Sequence, residues 1–96
     1  MTKQFLYCAL AAFLLSACST DLTEAGSKVR LLNSAVEASK CQLIKPIFAS
    51  TRGGAESSTK LAMNETADAG ANALYIVSTT HETNHTDVVG NALMCK

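Results

Sequence analysis

The sequence has no tryptophan, one proline and no excess charge of either sign: eight Lys and Arg offset eight Asp and Glu over 96 residues. Without a one-signed surface, counterions are not displaced from phosphates, which excludes an electrostatic nucleic-acid binder. One proline and five glycines are too few for a collagenous or Pro/Gly-rich low-complexity chain. No internal repeat recurs, which excludes a solenoid. Aromatic residues are sparse, and beyond residue 17 only Phe48 and Tyr75 remain, too few for an aromatic ligand platform. No apolar run reaches the roughly 20 residues that a spanning helix needs. What the sequence does have is apolar content, 48% of residues, which excludes a disordered solvating chain. The length fits one domain.

Much of that apolar content lies at the start. Lys3 is followed by an uncharged apolar run of eleven residues, 5–15, the length of a signal-peptide core. It closes on Leu15-Ser16-Ala17-Cys18. This resembles the lipobox of bacterial lipoproteins, in its full L-[AS]-[GA]-C form. The alternatives are an ordinary secretory signal cut elsewhere and a short buried helix. The resemblance implies a signal peptide over 1–17 and a lipidated tether over 18–27. Cys18 would carry diacylglycerol on its sulfur and an acyl chain such as palmitate on its new amino terminus. Each buried methylene contributes about 0.8 kcal/mol, so three chains anchor firmly. Ser19 replaces the Asp that retains lipoproteins in the inner membrane, which by the same resemblance implies the periplasmic side of the outer membrane.

On that reading the mature chain has 79 residues, seven of them basic and eight acidic. Cys8 leaves with the signal and Cys18 is lipidated, so Cys41 and Cys95 are left to pair. An oxidising periplasm favours a structural bridge. Closing a loop of that length stabilises by about 4 kcal/mol in the chain-entropy model. The alternatives are a redox pair, for which C-x-x-C spacing is lacking, and two free thiols.

Residues 28–96 read as a small two-layer α+β domain of ββαββ order, with one helix on a mainly antiparallel sheet. Residues 29–32 form a short first strand, and 33–40 a loop. Residues 41–48 form a second strand, with Gln42, Ile44 and Phe48 on one side and Leu43 and Ile47 on the other. Pro46 lacks an N–H, which places this strand at an edge or on a bulge. Ser57 or Ser58 would N-cap a helix running to about Ala69, with Gly70 in the left-handed position beyond it. Thr59, Ala62, Met63 and Thr66 share its inner face, while Lys60, Leu61, Asn64, Glu65 and Asp68 fall opposite. Residues 73–78 are nearly all apolar and read as a central strand. In the last strand, 87–95, Val88, Gly90, Ala92 and Met94 oppose Val89, Asn91, Leu93 and Cys95. Gly90 marks a bulge or the close approach of another backbone.

His81-Glu82-Thr83-Asn84-His85 matches H-E-x-x-H, which in zinc peptidases sets two imidazoles on one helical face beside a Glu base. The threonines around it disfavour a helix, so the string reads as an exposed hairpin loop. His81 and His85 remain a weak metal candidate, and no catalytic residue or cofactor is expected. Arg52-Gly53-Gly54 reads as a loop rather than a phosphate cradle, since no Lys-Ser/Thr follows.

Four further strings, around Ala25-Gly26-Ser27-Lys28-Val29-Arg30, Cys41-Gln42-Leu43-Ile44, Asn64 with Ala67, Gly70 and Asn72, and Gly90-Asn91-Ala92-Leu93-Met94-Cys95, resemble a family of small enterobacterial-type outer-membrane lipoproteins with a domain of unknown function. The resemblance implies the same Cys41–Cys95 pairing and helix position. Met63 stands where that family has an Arg. A more distant likeness, through Gly90-Asn91-Ala92-Leu93, is to the Rcs-pathway stress-sensor lipoproteins, which have two bridges where this chain can make one. The expected function is a non-enzymatic envelope interaction module. Its partners would be the membrane, through the lipid, and a periplasmic or outer-membrane protein. Envelope stress sensing is the alternative.

Overall fold

The computed structural model describes residues 20–96; the expected signal segment 1–17 and the expected lipidation site Cys18 lie outside the described residues. The chain builds α1 (Glu24–Ser27), β1 (Arg30–Leu32), α2 (Ala35–Ser39), β2 (Gln42–Thr51), α3 (Gly54–Asp68), β3 (Ala73–His81) and β4 (Thr86–Met94). Four strands form one mixed sheet in the order β1-β3-β4-β2. The β1–β3 pair is parallel, and both pairs made by β4 are antiparallel. β2, α3 and β3 thus form a split β-α-β unit into which β4 folds back as a hairpin. The α+β class and the one-helix layer are as the sequence implies.

The central layer is small-residue packing. α3 buries Ser57, Ser58, Ala62 and Thr66 against Ile47, Ala49, Leu74, Val88 and Ala92 of the sheet. Small side chains let the helix lie close, and its buried hydroxyls are all satisfied. Ser58 donates to the Thr86 carbonyl at 2.7 Å and shares a 2.8 Å bond with the Thr51 hydroxyl. Thr66 donates to the Ala62 carbonyl one turn back at 2.7 Å. The helix starts at Gly54, upstream of the expected serine caps, and its N-cap Gly53 makes no side-chain cap bond. Ser57 and Ser58 are spent inside the fold instead. Leu61, expected among the polar residues, packs at the margin of the core.

The C-terminus of α3 is a Schellman motif: Gly70 N–H donates to the Ala67 carbonyl and Ala71 N–H to that of Thr66, at 3.0 and 3.1 Å. Gly70 has φ +81°, where a Cβ is penalised. Gly90 answers a different constraint. An added Cβ there would lie 2.7 Å from the Tyr75 carbonyl oxygen, and β3 carries a register irregularity beside it, between Ile76 and Ser78.

Three local expectations change. The 33–40 loop contains α2, capped by Ser34 accepting from the Glu37 N–H at 3.1 Å; packing on the sheet stabilises a helix too short to stand alone. β2 runs to Thr51 as an edge strand with a register shift between Leu43 and Lys45, beside Pro46. That shift flips the alternation, so Leu43, paired with Leu93, shares the face of Phe48, paired with Val89. The segment 18–27, expected to be a tether, is docked over its described part, residues 20–27: α1 packs on α3 with Gly26 buried.

Cys41 and Cys95 are disulfide-bonded, with Cα atoms 4.6 Å apart. The bridge joins the start of β2 to the end of β4. Among the described residues no helix is long and apolar enough to cross a membrane.

Candidate functional site

The sheet has two faces, and only one is fully clothed. α3 covers the first. On the second, Leu32, Ala73, Leu93 and Cys95 are buried at the disulfide end, where Ala38 of α2, Cys41 and Tyr75 close over them. Beyond Tyr75 nothing in the described residues covers this face. Strand register sets Phe48 beside Val89 and Val89 beside Ser78, with Pro46 beside Asn91 in the next row. Phe48 is 60% exposed and Val89 37%. A phenyl ring on a regular strand, flanked by a β-branched residue and a proline, is an apolar strip that water solvates poorly. Sequence reasoning counted Phe48 among too few aromatics and missed that pairing and edge position would leave it uncovered. The alternation in β4 was the available signal.

One depression borders the strip and another lies away from it. The first, of about 380 Å³, runs between α3 and the edge of β2, where Lys45 faces Glu65 and Asp68. Burial raises the Glu65 carboxyl above its ordinary 4.5; Lys45 opposes this and Asp68 adds to it. The other, of about 720 Å³, lies at the disulfide end among Arg30, Glu37, Lys40 and Lys96. Both are open and solvated, with no convergent set of polar groups.

His81, Glu82 and His85 do not form a helical trio. His81 ends β3 opposite Thr86, and Glu82 N–H donates to the His85 carbonyl at 2.8 Å, closing a hairpin turn. The imidazoles have local partners. His85 Nδ1 lies 2.7 Å from Asn84 Oδ1, its Nε2 lies 3.5 Å from Asp87 Oδ2, and His81 Nδ1 lies 3.4 Å from the Thr86 hydroxyl. Asp87 Oδ1 is buried, with no hydrogen-bond partner among the described residues. Among the described residues no group of three or more His, Cys, Asp or Glu is placed to hold a metal.

The remaining motif residues serve the fold. Asn64, expected on the solvent side of the helix, binds the leading segment: its Oδ1 accepts from the Thr23 N–H and hydroxyl at 2.9 and 3.0 Å, and its Nδ2 donates to the Asp21 carbonyl at 3.0 Å. Gly26 packs directly against it, with no room for a Cβ. Asn72 uses its amide as a strand would, donating to the Cys95 carbonyl at 2.7 Å and accepting from its N–H at 2.8 Å. Ala67 packs against the core and takes the Gly70 cap bond. Fold and surface together define a small disulfide-stapled α+β domain with one half-bare sheet face. No family model, curated protein or solved structure matches the chain.

Proposed function

We propose that the chain is a lipid-anchored protein of the bacterial outer membrane whose periplasmic domain is a non-enzymatic interaction module. The anchor and address rest on Leu15 to Cys18 and on Ser19. The interaction rests on one observation: Phe48, 60% exposed beside Val89 and Pro46, on a face whose other half is buried. The partner would be an envelope protein offering its own apolar patch, since the strip carries no charge to select an ionic one. Asn64, Ala67, Gly70 and Asn72 all act within the fold, so the family resemblance carried by them supports an architecture and not an activity.

The test is a photocrosslinking amino acid in place of Phe48, irradiated in intact envelopes. A discrete protein adduct, missing when the same probe replaces Glu24 on exposed α1, is the expected result. No adduct at Phe48, or the same adducts at both positions, overturns the reading. Palmitate labelling that leaves the chain unlabelled removes the anchor.

A further inference from the structure

The first described residue is held at one end of the domain. Thr20 N–H donates to the Ser57 hydroxyl at 2.9 Å, in the first turns of α3. Asn64 then fixes residues 21 and 23, and α1 lies against α3. Two Cα–Cα steps separate Thr20 from Cys18, a reach of at most about 7 Å. That matches one headgroup layer, about 5–7 Å thick. A chain anchored at Cys18 therefore has no slack with which to lift this end from the bilayer.

The same end gathers the loop before α3 and the β3–β4 hairpin. Ser58 bonds the Thr86 carbonyl, and Thr51 pairs with Thr86. The hairpin turn 82–85 projects beyond that pair. Its exposed residues are polar, and the charges here are Arg52 and Lys60 against Asp21, Glu56, Glu82 and Asp87, with Lys60 and Glu56 paired at 3.3 Å and Asp87 3.5 Å from His85. Neither a polybasic cluster nor an apolar wedge is present. The disulfide lies at the other end of β4, where Cys95 follows the strand's last residue, roughly 30 Å from Thr86 at strand rise.

We propose that the hairpin 82–85 and the Arg52 loop rest on the zwitterionic headgroups of the bilayer, with the strands upright and the disulfide end outermost. The surface is a phosphatidylethanolamine-like one, because a hydrogen-bonding end with no excess of positive charge gains nothing from net anionic lipid. Asn64 is the clasp that keeps the domain down. This inference rests on lipidation of Cys18.

The experiment uses the full lipidated chain in vesicles of phosphatidylethanolamine with a minor share of phosphatidylglycerol. A diazirine amino acid replaces Thr83 in one sample and Gln42 in another, and lipid adducts are read by mass spectrometry. Adducts at Thr83 with none above background at Gln42 are expected, with little change on adding salt. Asn64→Ala should free residues 20–27 and abolish the Thr83 adducts. A ten-residue Gly/Ser insertion after Ser19 should do the same with the clasp intact, which covers the case in which Asn64→Ala does not fold. Equal labelling at both positions, labelling only at Gln42, or Thr83 adducts that survive the insertion overturn the proposal. The intact mass of the protein reports the acyl chains separately, so a failed anchor is distinguished from a wrong orientation.

Discussion

One face of the sheet carries two regions built from the same strands and treated differently. At the disulfide end Leu93 is 4% exposed and Ala73 1%; four residues back along β4 Val89 is 37% exposed, and its neighbour Phe48 60%. Both regions are apolar and strand-paired, each beside one register irregularity. What separates them is the cover supplied by α2 and the bridge. The free half is where an external surface can gain burial that the chain itself has not taken.

That contrast can be broken from either side. Cys41→Ser with Cys95→Ser removes the staple from the covered half and should cost about 4 kcal/mol, read by urea denaturation; a loss within error would mean the cover holds without it. Leu93→Ala on the covered half should cost about 2–4 kcal/mol, because its cavity is closed in on all sides. Gly90→Ala, on the opposite face of β4 at the level between the regions, should cost about 1–3 kcal/mol as its Cβ meets the Tyr75 carbonyl, and an unchanged thermal midpoint would contradict that. Phe48→Ala, on the same face as Leu93, should stay within about 0.5 kcal/mol of the parent while eliminating envelope crosslinks from nearby positions. Stability without loss and crosslinks without change would make the bare half mere surface.

The smallest effect concerns Glu65, in the groove beside the strip. Burial holds its carboxyl above 4.5 in the folded chain, so the folded state binds the proton more tightly. The resulting stability is present below about pH 4.5 and is lost as pH rises through the raised value. Glu65→Gln should flatten that slope, gaining at most about 0.5 kcal/mol near neutral pH at a site only partly shielded from solvent and nothing below about pH 4. Thermal midpoints of both proteins across pH 4–7 check it.

Much of the architecture was legible because alternation and punctuation agreed. Residues 73–78 read as a central strand, Gly70 as a helix stop, Pro46 as an edge, and Gly90 as a close approach; each rests on a local constraint that the fold obeys. The errors arose where tertiary contacts overrode local chemistry. Ser57 and Ser58 look like caps, yet Thr86 and Thr51 claim Ser58 for the interior. Residues 33–40 lack the length of an isolated helix, but the sheet beneath them supplies the missing stabilisation. Asn64 looked solvated because nothing in the string 18–27 announces that it folds back onto α3. The bare half-face was hidden for a related reason: pairing partners, and the irregularity at Leu43/Lys45, decide which side Phe48 faces.

Asn72 has a consequence for the staple. By imitating a neighbouring peptide group, its amide seats Cys95 through both of that residue's main-chain groups. The place of Cys95 beside Cys41 is thus held twice, once by the bridge and once by two main-chain hydrogen bonds that need no sulfur.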